Sequence, residues 1–491
     1  MRRPFLAAII ICLAIFQAGW TQNPAETYND NPAMPEGVKG ERIKALIAAL
    51  NSGNPEQIKA FLTAHCTEKF QNFVPMEGHI QVFQGLLQET GGIEFSGIRT
   101  YVPERKGQTV VIVKDRNYDS FMGLNLRFTD PPDYLIGGAG FSPARPPADL
   151  KESPLTETQV IDETKALMGR IIDKGLFSGA LLVAKGDTVL LTMAAGEASK
   201  SFNVPNNVDT KFNLGSMNKM FTSTAVLQLV QNGKLSLDDP ISKYIDESWL
   251  PKDVTDKITI RHLLTHSSGL GSYFNETYQK SSRALFRKLD DYKPLIKDDR
   301  PAFEPGKQYK YSNTGMFLLG VVIEKVTGED YFSYIRKAIY EPAGMTNTDC
   351  YEMDYPVENL AIGYSPDPTS PYGWQNNLYK HVIKGGPAGG GFSTVKDLHK
   401  FALALLAGKY VSKEYLNEMW TDHLGANYGY GFSVKTSVAG KVVGHAGGFD
   451  GINSNLDIYL DSGYVVAVMC NTDRGASPVA AKIGGFLARV K

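Results

Sequence analysis

Cysteine is scarce in this chain, with four in 491 residues at positions 12, 66, 350 and 470. Cys12 falls in an N-terminal segment with the layout of a removable leader. That leaves three thiols far apart in sequence, and an odd, scattered set excludes a disulfide framework. There is no Cys-x-x-Cys pair and no His-Glu-x-x-His among the eight histidines, so zinc hydrolysis has no ligand set, and no metal or cofactor is expected. Charge of one sign is also missing. Lysine plus arginine is 51 against 52 for aspartate plus glutamate, a net of -1, which leaves no excess to neutralise a nucleic-acid backbone, so no nucleic-acid partner is expected. The Gly-x-Ser-x-Gly elbow of α/β-hydrolases does not occur, nor does any repeat of about 20 to 50 residues.

What is present is a globular composition, 43% hydrophobic and 21% charged, in a chain long enough for two to four domains. Met1-Arg2-Arg3-Pro4, the apolar run Phe5 to Phe16 and the small pair Ala18-Gly19 form the tripartite layout of an export signal over residues 1–21. The run is shorter than the about 20 residues that span a bilayer, so no stable membrane span is expected once it is removed. Arg2-Arg3 lacks the polar flanks of a twin-arginine signal, and Ile11 before Cys12 does not suit lipid attachment. The expected destination is the periplasm or the medium.

A polar Asn- and Pro-rich stretch makes 22–36 a flexible segment. Apolar residues at helical spacing (Ile43, Leu46, Ile47, Leu50; Ile58, Phe61, Leu62; Ile80, Phe83, Leu86, Leu87) then predict three helices. Strand-like segments follow near Ile93 to Val102, Thr109 to Lys114, Phe121 to Phe128 and Tyr134 to Phe141. Helices followed by strands make 37–142 an accessory α+β domain, in an order that resembles the cone-shaped nuclear-transport-factor-2-like fold. The Pro-rich run over 143–155 reads as a linker. The rest, 156–491, opens with an amphipathic helix and a hairpin-like pair around Gly186-Asp187. It closes with strands and an apolar helix, around a mostly helical middle.

Within that second domain, Ser216-Met217-Asn218-Lys219 begins a helix from Met217 to Val230 that is apolar on nearly every side, with Gly233 as its stop. Three residues apart, Ser216 and Lys219 share one helix face. A buried lysine loses charge and can take the serine proton, and free backbone N–H groups at a helix start can hold an oxyanion. Spacing alone is weak, because Ser393-Thr394-Val395-Lys396 repeats it where a helix cap explains it better. Tyr311-Ser312-Asn313 offers a phenol for proton transfer and an amide. Tyr273-x-Asn275 and Tyr415-x-Asn417 repeat that pattern, but Tyr311 lies between the turn Glu304-Pro305-Gly306-Lys307 and an apolar helix from Met316 to Val326. His445-Ala446-Gly447-Gly448 lies in a glycine-rich strand that lets another backbone approach closely. His423-Leu424-Gly425 shares its spacing in what reads as a loop.

Taken together in this order, Ser216-x-x-Lys219, Tyr311-x-Asn313 and His445-x-Gly447 resemble the serine β-lactamase and penicillin-binding-protein family, in particular its class C-like branch. Leu263-Leu264-Thr265-His266-Ser267-Ser268-Gly269-Leu270, Pro387-Ala388-Gly389-Gly390-Gly391 and Tyr428-Gly429-Tyr430-Gly431 fit the same family. The resemblance implies an antiparallel sheet flanked by helices with a helical subdomain, and therefore an α+β chain overall. It implies Ser216 as the acylated nucleophile, Lys219 as its base and Tyr311 as proton shuttle. Asn313, His445, Gly447 and Gly448 would then bind substrate, with the Ser216 and Gly448 N–H groups as oxyanion hole. An ammonium on Lys219 is expected to hold down the Tyr311 pKa.

One position departs from the pattern. The family's β-lactamases carry Lys-Thr-Gly where this chain has His445-Ala446-Gly447, and a mostly neutral histidine suits a substrate carboxylate poorly. The expected function is therefore an exported serine hydrolase acting on a small-molecule or peptide substrate, an ester or small amide. Its rivals are a D-peptide carboxypeptidase or aminopeptidase on wall fragments and a non-catalytic penicillin- or peptide-binding module.

Overall fold

Two compact units divide the chain at Pro154 and Leu155. The computed structural model describes residues 27–150, 152–367 and 369–491, so the expected signal at 1–21 lies outside the described residues. Among them, no helix is long and apolar enough to cross a membrane.

In the first unit, strands β1 (Thr27–Asn31), β2 (Ile93–Val102), β3 (Thr109–Asp115), β4 (Phe121–Phe128) and β5 (Ile136–Pro143) form an antiparallel sheet in sequence order. Helices α1 (Gly37–Ser52), α2 (Pro55–His65) and α3 (Met76–Thr90) carry the apolar stripes read from the sequence. Ile43, Leu46, Ile58, Leu62 and Phe83 share one buried cluster with Val111, Val113, Leu124 and Leu126 of the sheet. Asn54 starts α2 by accepting from the N–H groups of Glu56 and Gln57, with Pro55 at the first helical position.

Within the stretch expected to be flexible, Thr27–Asn31 is instead a strand. Thr27–Asn31 pairs with β2 from Thr27 opposite Val102 to Asn31 opposite Ile98. An edge strand needs backbone partners rather than an apolar pattern, and this one is also held by Arg99, whose guanidinium meets Asp30 at 2.8 Å out of solvent and lies 3.7 Å over the Tyr28 ring. The same guanidinium donates to the carbonyls of Arg145 and Pro146, so the Pro-rich run is fastened to the sheet at its start.

In the second unit, β6 (Gly179–Lys185), β7 (Thr188–Ala195), β8 (Ser433–Ser437), β9 (Gly440–Phe449), β10 (Ile452–Tyr459) and β11 (Tyr464–Cys470) form an antiparallel sheet ordered β8-β9-β10-β11-β6-β7. The first and last segments thus meet at its centre, where β11 pairs with β6. The opening helix α4 (Glu157–Asp173) begins with a capping box between Thr156 and Gln159 and packs with the closing helix α8 (Ala476–Leu487), which lies on β10 and β11. The main core joins Ala180, Leu182, Leu456 and Ala467 of the sheet to three helices, α5 (Asn218–Gln231), α6 (Asn313–Thr327) and α7 (Val395–Leu406). Of these, α5 is buried from Asn218 through Leu227, as its all-round apolar sequence requires.

Candidate active site

Ser216 lies in a single 3-10 turn, Gly215–Met217, that runs directly into α5. Three groups of contacts fix this turn. The Asn213 side chain accepts the Gly215 N–H at 2.8 Å. The loop Pro387 to Gly391 exchanges backbone hydrogen bonds with it, Leu214 N–H to the Gly391 carbonyl and Gly390 N–H to the Gly215 carbonyl. On another side, β9 comes so close that a Cβ on Gly215 would lie 2.8 Å from the Gly448 nitrogen and one on Gly447 1.9 Å from the Leu214 carbonyl oxygen. The glycines read as permitting close approach are therefore required by it, and Gly215 also adopts φ +51°. Strand β8 pairs with β9 as far as Gly444, and β10 takes its other side. His445 to Phe449 are left with one edge that no strand covers among the described residues.

Lys219 is 0% exposed. Its Nζ donates to the Ala388 carbonyl at 2.5 Å, and no carboxylate among the described residues pairs with it. Burial alone drives its pKa well below the usual lysine range. The Ala388 carbonyl is held in place by α5 itself, since Thr222 Oγ1 donates to the neighbouring Pro387 carbonyl at 2.8 Å.

Tyr311 places its ring centroid 4.9 Å from the lysine nitrogen. It keeps 37% of its surface open, while protein crowds its phenol end. Burial pushes its pKa up, against a smaller downward pull from its hydrogen bond with Ser216. The expected depression of Tyr311 by Lys219 is therefore absent. Desolvation decides the direction at the phenol, and Lys219 has no resolved influence on it.

Of the remaining residues, His445 lies 6.4 Å from the Tyr311 ring and Gly447 and Gly448 lie against the Gly215 turn. Asn313 opens α6 and donates to Ser272 Oγ at 3.3 Å. His445 is fixed at both ring nitrogens, with Nδ1 2.6 Å from the Ala446 carbonyl and Nε2 3.0 Å from the Tyr428 hydroxyl. The carbonyl can only accept, so Nδ1 carries the proton and Nε2 accepts from the tyrosine. Burial pushes its pKa down to about 3, so the imidazole is neutral at ordinary pH. On the free side of β9, Phe449 stacks with Phe274 at 5.6 Å.

The look-alike motifs go elsewhere. Thr394 caps α7, Lys396 pairs with Asp209, Tyr273 is a core aromatic, and Asn275 caps a short helix. Sequence reading quoted Ala388 and His266 only as parts of family phrases. Nothing in those phrases says that the first supplies a carbonyl to Lys219, or that the second packs 4.3 Å from the Tyr311 ring.

The family model "Beta-lactamase" matches residues 158–485. The chain belongs to this family. Penicillin-binding protein 4* of Bacillus subtilis is 29% identical over 341 residues, covering 66% of this chain and 73% of that protein. A solved penicillin-binding protein from Bacillus halodurans shares 31% identity with a TM-score of 0.59, covering 67% of this chain and 98% of its own. A D-stereospecific amidohydrolase from Streptomyces sp. shares 28% identity with a TM-score of 0.54, covering 63% of this chain and 94% of its own. The second unit is thus a β-lactamase-like fold of the serine hydrolase type.

Proposed function

We propose that this β-lactamase-family protein is an exported, class C-like serine hydrolase that cleaves neutral esters or small amides through an acyl-enzyme on Ser216. The observation that carries this reading is the Lys219 amine, fully buried, bonded to a carbonyl and unpaired with any carboxylate among the described residues. A neutral amine with its lone pair free is a competent base, whereas Tyr311, its pKa raised, stays a phenol that can donate. Lys219 takes the Ser216 proton as Oγ attacks the carbonyl carbon. The N–H groups of Ser216 and Gly448 hold the oxyanion, each such donor lowering the barrier by roughly 3 to 4 kcal/mol. Tyr311 gives its proton to the leaving group and is reprotonated from Lys219, and water then releases the acid by the same relay in reverse. Asn313 and the free edge of β9 orient the acyl portion.

Neutral His445 supports uncharged substrates, since a terminal carboxylate would meet no cation at that position. This weighs against a D-peptide carboxypeptidase. It leaves open a D-amide or aminopeptidase activity, which the similarity to a D-stereospecific amidohydrolase favours. The first unit, with its three long helices on an antiparallel sheet, is proposed as a nuclear-transport-factor-2-like accessory domain over 37–142, joined through 143–155.

Labelling by a fluorophosphonate probe tests the reading. Wild type is expected to be labelled and Ser216→Ala not, and equal labelling of both contradicts it. Assay of p-nitrophenyl esters, D-amino-acid amides and peptides, and a chromogenic cephalosporin then sorts the substrates, with the cephalosporin expected to be slowest. Tight penicillin binding without acylation would instead mark a binding module.

A further inference from the structure

The mechanism above leaves one wholly buried histidine unused. His266, 0% exposed, sits at φ +55° and grips the chain on both sides of Tyr311. Its backbone carbonyl accepts the Lys310 N–H at 2.8 Å, and its Nδ1 accepts the Ser312 N–H at 3.1 Å. Between those two bonds its ring lies 4.3 Å from the Tyr311 ring, tilted by 43°, with Tyr428 4.7 Å away. Because Nδ1 accepts, the proton of the neutral ring is on Nε2, and that buried nitrogen has no hydrogen-bond partner. Burial drives its pKa well below the ordinary histidine range and keeps the ring uncharged. An unpaired buried N–H and a left-handed backbone both oppose folding, so this arrangement needs a compensating role.

We propose that His266 is a positioning residue for Tyr311, a three-point clamp that holds the phenol in line with Ser216 and Lys219 for proton transfer. The proposal rests on the reading of Tyr311 as the proton carrier. Backbone and side-chain bonds to residues 310 and 312 fix where the tyrosine starts, and the imidazole face fixes how far its ring can turn. Proton transfer is steep in distance, and misplacing a reacting group by about 1 Å costs about 100-fold in rate.

The test is a double-mutant cycle on the full chain with a neutral p-nitrophenyl ester, each rate normalised to active sites titrated with the fluorophosphonate. His266→Asn tolerates the left-handed backbone and keeps an acceptor for the Ser312 N–H, but has no ring. In the Tyr311 background it is expected to lower kcat about 10- to 100-fold while KM changes less than about threefold. In the Tyr311→Phe background it is expected to cost less than about twofold, because the group it positions is already gone. Equal losses in both backgrounds, or wild-type kcat in His266→Asn, overturn the clamp. If His266→Asn yields no titratable sites, His266→Phe, which keeps the ring and loses the acceptor, carries the same cycle with the same non-additivity expected. Wild-type kcat in Tyr311→Phe alone instead removes the tyrosine from the mechanism, a separate failure.

Discussion

Ser-x-x-Lys occurs twice in this chain, and the two copies have opposite surroundings. Lys219 is sealed in the core with a carbonyl for its partner. Lys396 leaves 44% of its side chain in solvent and meets Asp209 at 2.7 Å. Around Ser216 a left-handed glycine turn is gripped by β9 and the Pro387 to Gly391 loop. Around Ser393 the hydroxyl that matters locally belongs to Thr394, which accepts the Asp397 N–H at 3.1 Å to start α7. The same four-residue pattern gives a buried amine bonded to a carbonyl in one place and a solvated ion pair in the other, and the difference lies in which long-range elements close over the amine.

The largest expected contrast is in rate. Lys219→Met should lower acylation by about 100- to 10,000-fold, measured as the burst rate with an activated ester, whereas Lys396→Met should leave it within about twofold. Stability should move the other way. A lysine whose folded pKa is depressed binds more protons unfolded than folded, so below its unfolded pKa it destabilises the fold, and stability rises with pH between the two values by about 1.4 kcal/mol per pH unit. Lys219→Met should therefore unfold at higher denaturant than wild type at pH 7, with a flatter pH dependence toward pH 10. Lys396→Met, losing an exposed pair, should lose at most about 1 kcal/mol. A loss of stability in Lys219→Met would mean that the amine is stabilised as an ion.

A smaller effect separates the two neutral bases of the centre from a charged one. His445→Lys, which restores a cation to β9, should raise kcat/KM for carboxylate-bearing substrates relative to neutral esters by about tenfold, since a hydrogen bond to a charged group contributes about 1.5 to 3 kcal/mol. An unchanged ratio would take His445 out of substrate selection. The smallest effect is expected at the second motif. Thr394→Ala should cost about 1 kcal/mol of stability through the lost cap and leave turnover unchanged.

Much of this was legible in sequence because the signals are local. The strand at Phe121–Phe128, the hairpin at Gly179–Lys185 and Thr188–Ala195, and the helix behind Ser216 all follow from periodicity and turn residues. The candidate centre was legible as a set of three motifs, each weak alone. What was hidden depends on distant partners. The edge strand Thr27–Asn31 has no apolar pattern and exists through β2 and the Arg99–Asp30 pair. The acceptor for Lys219 is a backbone carbonyl, a group every residue carries, so sequence cannot mark Ala388. The expected pull of Lys219 on Tyr311 assumed an ammonium, and the burial of both groups, with no carboxylate paired to the amine among the described residues, is a property of the fold. His266 was visible as a letter in a phrase, but its left-handed backbone and its grip on residues 310 and 312 are properties of the fold.

The central claim is that one lysine amine is neutral in the resting enzyme. Lysine ε-carbon chemical shifts, followed against pH in uniformly labelled protein, read this directly. The account predicts one resonance titrating well below the others and missing from Lys219→Met. If every lysine titrates near its ordinary value of about 10.4, the amine is charged at rest and the proposed base is wrong.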